Sequence, residues 1–354
     1  MKILFSGGGT MGSVSPLLAI YDELKEEHIL DESLWIGTKK GPEEKIIEKE
    51  NIKFEAISAG KLRRYFDLRN ISDLLKIKIG FWQAFFIIKK FKPDVILTAG
   101  SFVSVPVAWA ANFLKVPVVL HQQDLRPGLA NKLMIKTAKK ITVSLDKSLN
   151  DFPANKVILT GNPIRKKIRE EIKESKKEIL KKYSLKNDLP VILIVGGGTG
   201  AQKINEHVWS SINELTKFCQ IIHIAGQGKV NTKIVHQNYK QFDFVTDKMS
   251  EMLKIADVVI SRAGMSFLTE LAYFNKQTII IPLPNSHQEE NAKYFEKKDA
   301  GVYIDQNKLT TKKLINETQK LISDKTNNLG KNMHNIFVDY VGKKNIEVIK
   351  NIIK

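Results

Sequence analysis

The chain has 354 residues, more than one ordinary domain needs and about right for two. Apolar residues make up 43% and charged residues 27%, a globular composition that sets aside disordered and fibrous classes. Fifty-six Lys and Arg against 38 Asp and Glu leave +18, which points to nucleic acid, phosphorylated metabolites or an anionic membrane surface, although a lysine-rich surface accounts for such an excess equally well.

The lone Cys219 excludes a disulfide framework and a thiolate metal cluster, and fits a reducing cytosol. Residues 1–5 are too short for a signal peptide, and apolar runs such as 81–88 fall short of the ~20 residues of a spanning helix.

Apolar runs of strand length alternate with amphipathic, helix-length segments along the whole chain. Strands are predicted at 2–5, 33–36, 94–98, 116–121, 140–144 and 156–159, then at 191–195, 220–224, 257–261 and 278–282. Continuous Val/Ile/Leu runs separated by helices argue for parallel sheets covered on both faces. The chain also repeats itself. ILFSGGGTMG at 3–12 returns as ILIVGGGTGA at 192–201, DVILTAGSF at 94–102 as DVVISRAGMS at 257–266, and VPVVLHQQD at 116–124 more loosely as TIIIPLPNSHQEENA at 278–292. Three features in the same order predict two similar doubly wound α/β halves. The join is placed at the turn residues of TGNPIRKKI, giving domains 1–163 and 164–335, with a helical tail at 336–354 that could pack back on the first.

Gly7-x-Gly9-x-x-Gly12, between a strand and a helix, matches a dinucleotide fingerprint that would hold a pyrophosphate on backbone N–H groups. An NAD site would also want an acid roughly 20 residues on. The next strand instead ends in Lys39 and Lys40, which weakens NAD and leaves NADP open. Two such loops in two halves suit a nucleotide-sugar substrate. No Asp-x-Asp occurs, so a metal chelated by that motif is not indicated, and helix N-termini and arginines are left to neutralise a leaving diphosphate.

In the second half, Arg262 and Gly264 precede a helix and form an anion seat. Arg262 is placed to pair with phosphate, and Glu270, one turn in, to accept from two ribose hydroxyls. His287, Gln288 and Asn291 follow as donors and acceptors for sugar hydroxyls.

At this point the chain resembles the MurG family of UDP-N-acetylglucosamine transferases, from GGGTMGSVSP through HQQD, GNPIR and GGGTGA to SRAGMSFLTE and HQEENA. The resemblance implies a GT-B fold of two Rossmann-like domains facing across a cleft. It implies an inverting transfer of GlcNAc from UDP-GlcNAc to the muramyl 4-hydroxyl of a lipid-linked acceptor, with no metal and no cofactor. By position, Thr10, Met11 and Gly12 would lie beside sugar and diphosphate, Arg165 would approach the donor, and Gly198 and Thr199 would line its diphosphate. Thr246 would meet uracil, Met265, Ser266, Phe267, Leu268, Thr269 and Glu270 would hold diphosphate and ribose, Gln288 would bind GlcNAc, and Asn205 would sit near the site. A transferase with another lipid acceptor, a UDP-GlcNAc 2-epimerase and a non-catalytic UDP-sugar-binding protein are the alternatives.

The match breaks in the first loop. The family's GGTGGH is GGTMGS here, so Ser13 replaces the histidine that is the family's leading candidate for assisting attack, and a serine hydroxyl is no base at neutral pH without an activator. The family's HEQN is HQQD, moving the carboxylate to Asp124; Asp124 and His121 are therefore the candidate bases. The family's tyrosine near position 100 is Phe102, and its serine in the second loop is Gly198.

Residues 61–92 carry nine Lys/Arg among seven aromatics, a pattern suited to anionic lipid as well as to a core-facing helix. With a lipid-linked acceptor implied, the expectation is peripheral binding at the cytoplasmic membrane face. No nucleic-acid motif is found.

Overall fold

The structure is a computed structural model describing residues 1–60, 69–197, 200–245, 248–324 and 326–353. The chain divides into two compact units, residues 1–166 with 338–354 and residues 167–337.

The first unit holds a parallel sheet of β1 (Lys2–Ser6), β2 (Glu32–Thr38), β3 (Lys53–Ile57), β4 (Val95–Thr98), β5 (Val118–Gln122), β6 (Lys140–Val143) and β7 (Val157–Leu159), in the order β3-β2-β1-β4-β5-β6-β7. Side chains alternate across it, so Ile3 and Phe5 of β1 face one core while Leu4 faces the other. On the first face Phe5 stacks on Trp35 with centroids 5.6 Å apart. Helix Ser15–Glu26 covers that core together with Ile346 and Ile349 of the C-terminal helix Lys343–Ile353. Helices Arg69–Phe91 and Ser104–Phe113 cover the other face.

The second unit holds β8 (Val191–Val195), β9 (Gln220–Ile224), β10 (Tyr239–Phe242), β11 (Val258–Ser261), β12 (Gln277–Ile280) and β13 (Val302–Tyr303), again all parallel, in the order β10-β9-β8-β11-β12-β13. The repeated motifs therefore hold matching places: β1 with β8, β4 with β11, β5 with β12. In both sheets the strand order reverses beside the glycine loop, between β1 and β4 and between β8 and β11. Ligands of open parallel sheets bind beyond the strand C-termini at such a reversal. Strands β3, β10 and β13 have no counterpart among the sequence-predicted strands.

Candidate functional site

In the first unit the loop after β1 is held from four sides. The Trp35 indole N–H donates to Gly7 O at 2.9 Å, and Gln123 Nε2 donates to Gly12 O at 2.7 Å. Gly8 N–H donates to the Ser13 hydroxyl at 3.2 Å, and Gly9 N–H to Glu43 Oε2 at 3.0 Å. Thr10 is exposed, while Met11 and Gly12 are half-buried. Ser13 is buried and closes the loop on itself, its hydroxyl also lying 3.4 Å from the carbonyls of Gly8 and Thr10. At this position the chain has a loop clip with no basic atom.

His121, at the end of β5, does not fit the role of a base. It is buried, its Nδ1 lies 2.9 Å from the Thr142 hydroxyl, and its Nε2 lies 3.0 Å from Asn162 Oδ1. Burial pushes its pKa down to about 4, against the opposing pull of Asn162. Both nitrogens are taken and the ring is neutral, so it is a structural histidine. Gln122 donates to the carbonyls of Asp124 and Arg126 at 2.6 and 3.1 Å, shaping the loop that carries half-buried Asp124.

Arg165 is also placed otherwise than expected. Its Nε donates to Asp22 at 2.7 Å and an Nη to Glu50 at 2.7 Å, with the side chain only 9% exposed. Burial works to lower its pKa, but the two carboxylates outweigh that and raise it. The guanidinium is committed to its own unit.

In the second unit the loop after β8 turns through Gly200, whose φ of +71° and close approach to Ala225 O leave no room for a side chain. Gly198, Thr199 and Thr246 lie outside the described residues. Asn205 is buried, donates to Ala225 O at 2.9 Å and pairs through Oδ1 with His223 Nε2 at 3.0 Å. It supports the neighbouring loop from beneath. His223 is held neutral, burial lowering its pKa to about 4.

The helix Met265–Tyr273 opens at Gly264, where an added Cβ would meet open space. Leu268 N–H already bonds Gly264 O, so the helix's remaining open donors precede it. Met265, Leu268 and Thr269 have buried side chains, with the Thr269 hydroxyl bonded back to Met265 O at 2.8 Å. They can offer a ligand backbone groups alone. Ser266, Phe267 and Glu270 are half-buried on the outer face. Glu270 makes no side-chain hydrogen bond among the described residues. Burial pushes its carboxyl up to about 8, with Lys167 pulling the other way.

Arg262, expected on the diphosphate, instead props up the loop after β12. Its Nη1 donates to Ile281 O and Pro282 O at 3.1 and 2.9 Å, and its Nη2 to Gln306 at 2.6 Å. Gln288 accepts from Leu283 N–H at 3.1 Å, which fixes its amide and turns the NH₂ outward from that bond. His287 is exposed, and Asn291 is buried and donates to Ala263 O at 3.1 Å. Glu43 and Trp35, which shape the first loop, escaped the sequence reading. The only signal was a glutamate straight after Gly41-Pro42, and such a residue ordinarily reads as a solvated first-turn acid.

The description "Glycosyltransferase family 28 N-terminal domain" matches residues 3–143, and "Glycosyltransferase family 28 C-terminal domain" matches residues 191–347. A protein of Clostridium kluyveri named UDP-N-acetylglucosamine--N-acetylmuramyl-(pentapeptide) pyrophosphoryl-undecaprenol N-acetylglucosamine transferase is 40% identical over 326 residues, covering 90% of this chain and 91% of its own. A Clostridium novyi protein of the same name is 39% identical over 355 residues, covering 99% and 98%. Among solved structures, Acinetobacter baumannii MurG superposes with a TM-score of 0.76 at 24% identity, covering 99% of both chains. The UDP-GlcNAc 2-epimerase of Neisseria meningitidis bound to UDP-GlcNAc gives 0.69 at 16% identity, covering 99% of this chain and all of that one. Both structural likenesses concern the fold, which is of GT-B type.

Proposed function

The chain belongs to glycosyltransferase family 28, and from that membership we propose that it moves N-acetylglucosamine from UDP-GlcNAc to undecaprenyl-diphosphate-linked N-acetylmuramyl-pentapeptide, a step of peptidoglycan synthesis. The observation that carries this reading is the match, at about 40% identity over nearly the whole chain, to transferases of that name. The epimerase likeness stays at the level of fold.

The muramyl 4-hydroxyl attacks the anomeric carbon from the face opposite UDP. A C–O bond forms, the bond from the anomeric carbon to the diphosphate oxygen breaks with its electron pair, and configuration inverts to β-1,4. Backbone N–H groups at the N-terminus of helix Met265–Tyr273 suit the charge that builds on the departing UDP. Glu270, a carboxyl that makes no side-chain hydrogen bond among the described residues, suits the ribose hydroxyls, and Gln288 the sugar. Ser13 has no basicity and His121 no vacant nitrogen, so Asp124 is the residue we assign to take the acceptor proton.

We assign membrane attachment to helix Arg69–Phe91. Leu75, Ile79, Trp82 and Phe86 recur along one face at helical spacing and are each more than half exposed, and Phe113 of the neighbouring helix is 71% exposed. An apolar pocket of about 170 Å³, lined by Ile77, Lys78, Phe81, Trp82 and Trp109, lies in the same region. Basic residues beside such a stripe favour an anionic leaflet. No described helix is long and apolar enough to cross a membrane, and the attachment we propose through this face is a peripheral one.

UDP release from UDP-GlcNAc is the test, measured with and without the muramyl-pentapeptide diphosphate lipid in anionic vesicles. Lipid-dependent release yielding a disaccharide product is expected. Release that occurs equally without lipid, or a product that is a free epimerised UDP-sugar, overturns the assignment. Trp82→Asp with Phe86→Asp should lose vesicle binding while retaining turnover of a short-chain soluble acceptor.

A further inference from the structure

The same register position braces the glycine loop in both sheets. Trp35 of β2 sits opposite Phe5 of β1, and His223 of β9 sits opposite Ile194 of β8. Phe5 and Ile194 each stand two residues ahead of the first glycine of their loop. Trp35 reaches its loop directly, through its bond to Gly7 O. His223 reaches the second loop through other side chains. It is fully buried against Tyr239 of β10 and against Asn205 and Trp209, which lie one turn apart on helix Gln202–Leu215.

The hydrogen bonds of that chain run one way. The Asn205 amide nitrogen faces Ala225 O at 2.9 Å, since an amide oxygen there would meet another oxygen. Asn205 Oδ1 is thereby turned to His223 Nε2 at 3.0 Å, and as an acceptor it requires the ring proton on Nε2. His223 Nδ1 is left with a lone pair, which accepts the Tyr239 O–H at 2.8 Å. The Tyr239 oxygen in turn accepts from the Trp209 indole N–H, a group that can only donate, at 3.1 Å. Burial lowers the His223 pKa to about 4 and raises that of Tyr239 to about 12, with Trp209 opposing the latter. The ring is therefore neutral, and the hydroxyl keeps the proton it donates. The chain ends on Ala225 O, the atom that an added Cβ at Gly200 would strike.

We propose that His223, held as its Nε2–H tautomer, is a positioning residue for the nucleotide-sugar donor: it fixes Asn205, and with it the Ala225 carbonyl on which the second glycine loop turns at Gly200. Reversing any link sets two donors or two acceptors face to face, so the chain has a single setting. This rests on the reading of that loop as part of the donor site.

The test uses the full-length protein with His223→Leu and His223→Gln. Leucine offers Asn205 Oδ1 no donor, whereas glutamine can bring an amide N–H to the place of Nε2. His223→Leu should raise the UDP Kd and the UDP-GlcNAc KM at least tenfold, with kcat at saturating donor within threefold of wild type. His223→Gln should return both constants to within threefold. A loss of folded protein alone would lower kcat through the active fraction and leave KM in place. Nitrogen NMR of histidine-labelled wild type should show the His223 signal, identified by its absence from the glutamine variant, with the proton on Nε2, and UDP should shift it. This measurement decides the matter if the leucine protein does not fold. A proton on Nδ1, a His223 signal indifferent to saturating UDP, a glutamine variant as weak as the leucine one, or a folded leucine variant with unchanged UDP Kd overturns the proposal. If wild type binds UDP and transfers no sugar to the muramyl lipid, the transferase reading falls instead, and the UDP titrations and spectra still decide His223.

Discussion

Glu270→Gln separates ligand recognition from stability. The Glu270 carboxyl is shifted from 4.5 to about 8 by burial, with Lys167 opposing. Between those values the folded protein keeps a proton that the unfolded chain has released, so wild-type stability falls as pH rises through that window. At ~1.4 kcal/mol for each tenfold, the cost reaches at most about 5 kcal/mol, and water at a half-buried side chain reduces it to roughly 1–2 kcal/mol. Glutamine has no proton to lose, so the variant should match wild type at pH 5 and exceed it by that amount at pH 9. Ribose hydroxyls donating to the carboxylate favour its charged form, so UDP binding near pH 7 should release close to one proton in wild type and none in the variant. Losing two hydrogen bonds to a charged group should weaken UDP binding by about a hundredfold or more. Calorimetric unfolding at pH 5 and 9 and UDP titrations in buffers of different ionisation enthalpy read all three quantities. A variant no more stable than wild type at pH 9, or wild-type UDP binding without proton release, refutes the reasoning.

Arg165→Met leaves Asp22 and Glu50 half-buried without their cation and should cost roughly 3 kcal/mol of stability, with UDP affinity within twofold; a large loss of UDP affinity at unchanged thermal midpoint would return Arg165 to the donor. His121 and His223 are neutral in the fold with pKa values near about 4, so stability is full above pH 6.5 and is lost as pH falls towards 4, by up to about 3 kcal/mol for each ring. Acid unfolding of His121→Gln with His223→Gln should show a flatter pH profile over that range, and an unchanged slope would count against buried neutral rings.

The sheets were legible because their inner strands are buried on both faces and therefore read as unbroken apolar runs, as in VILIV of β8. The strands that were missed lie at or near the sheet edges and carry no such run. β3 is KFEAI with polar residues facing water, β10 is YKQF, and β13 has two residues. Polar side chains were harder to place, because residue type gives a reach and chemistry but no direction. Arg262 and Arg165 both had the right chemistry for phosphate, and both spend it on protein oxygens. His121 likewise had the right chemistry for a base and spends it on Thr142 and Asn162. Within 265–270 the helical period separates Ser266, Phe267 and Glu270 from the buried Met265, Leu268 and Thr269, a division available from spacing.

Two carboxylates at different places in the two units have opposite standing, and that contrast bears on where each substrate is recognised. Glu43 has its acceptor capacity taken by Gly9 and Thr38, so its charge is spent on holding a loop and is not available to a ligand. Glu270 has no such donors among the described residues, and burial raises its pKa against the pull of Lys167. A partly desolvated carboxylate with unfilled acceptor positions gains when a ligand supplies hydrogen bonds to it. Recognition of a diol therefore fits Glu270, and a fixed wall fits the loop around Glu43. The duplicated sequence gives no sign of the Glu43 contact, since GGGT opens both loops and the residue that braces the first lies 34 positions downstream of Gly9.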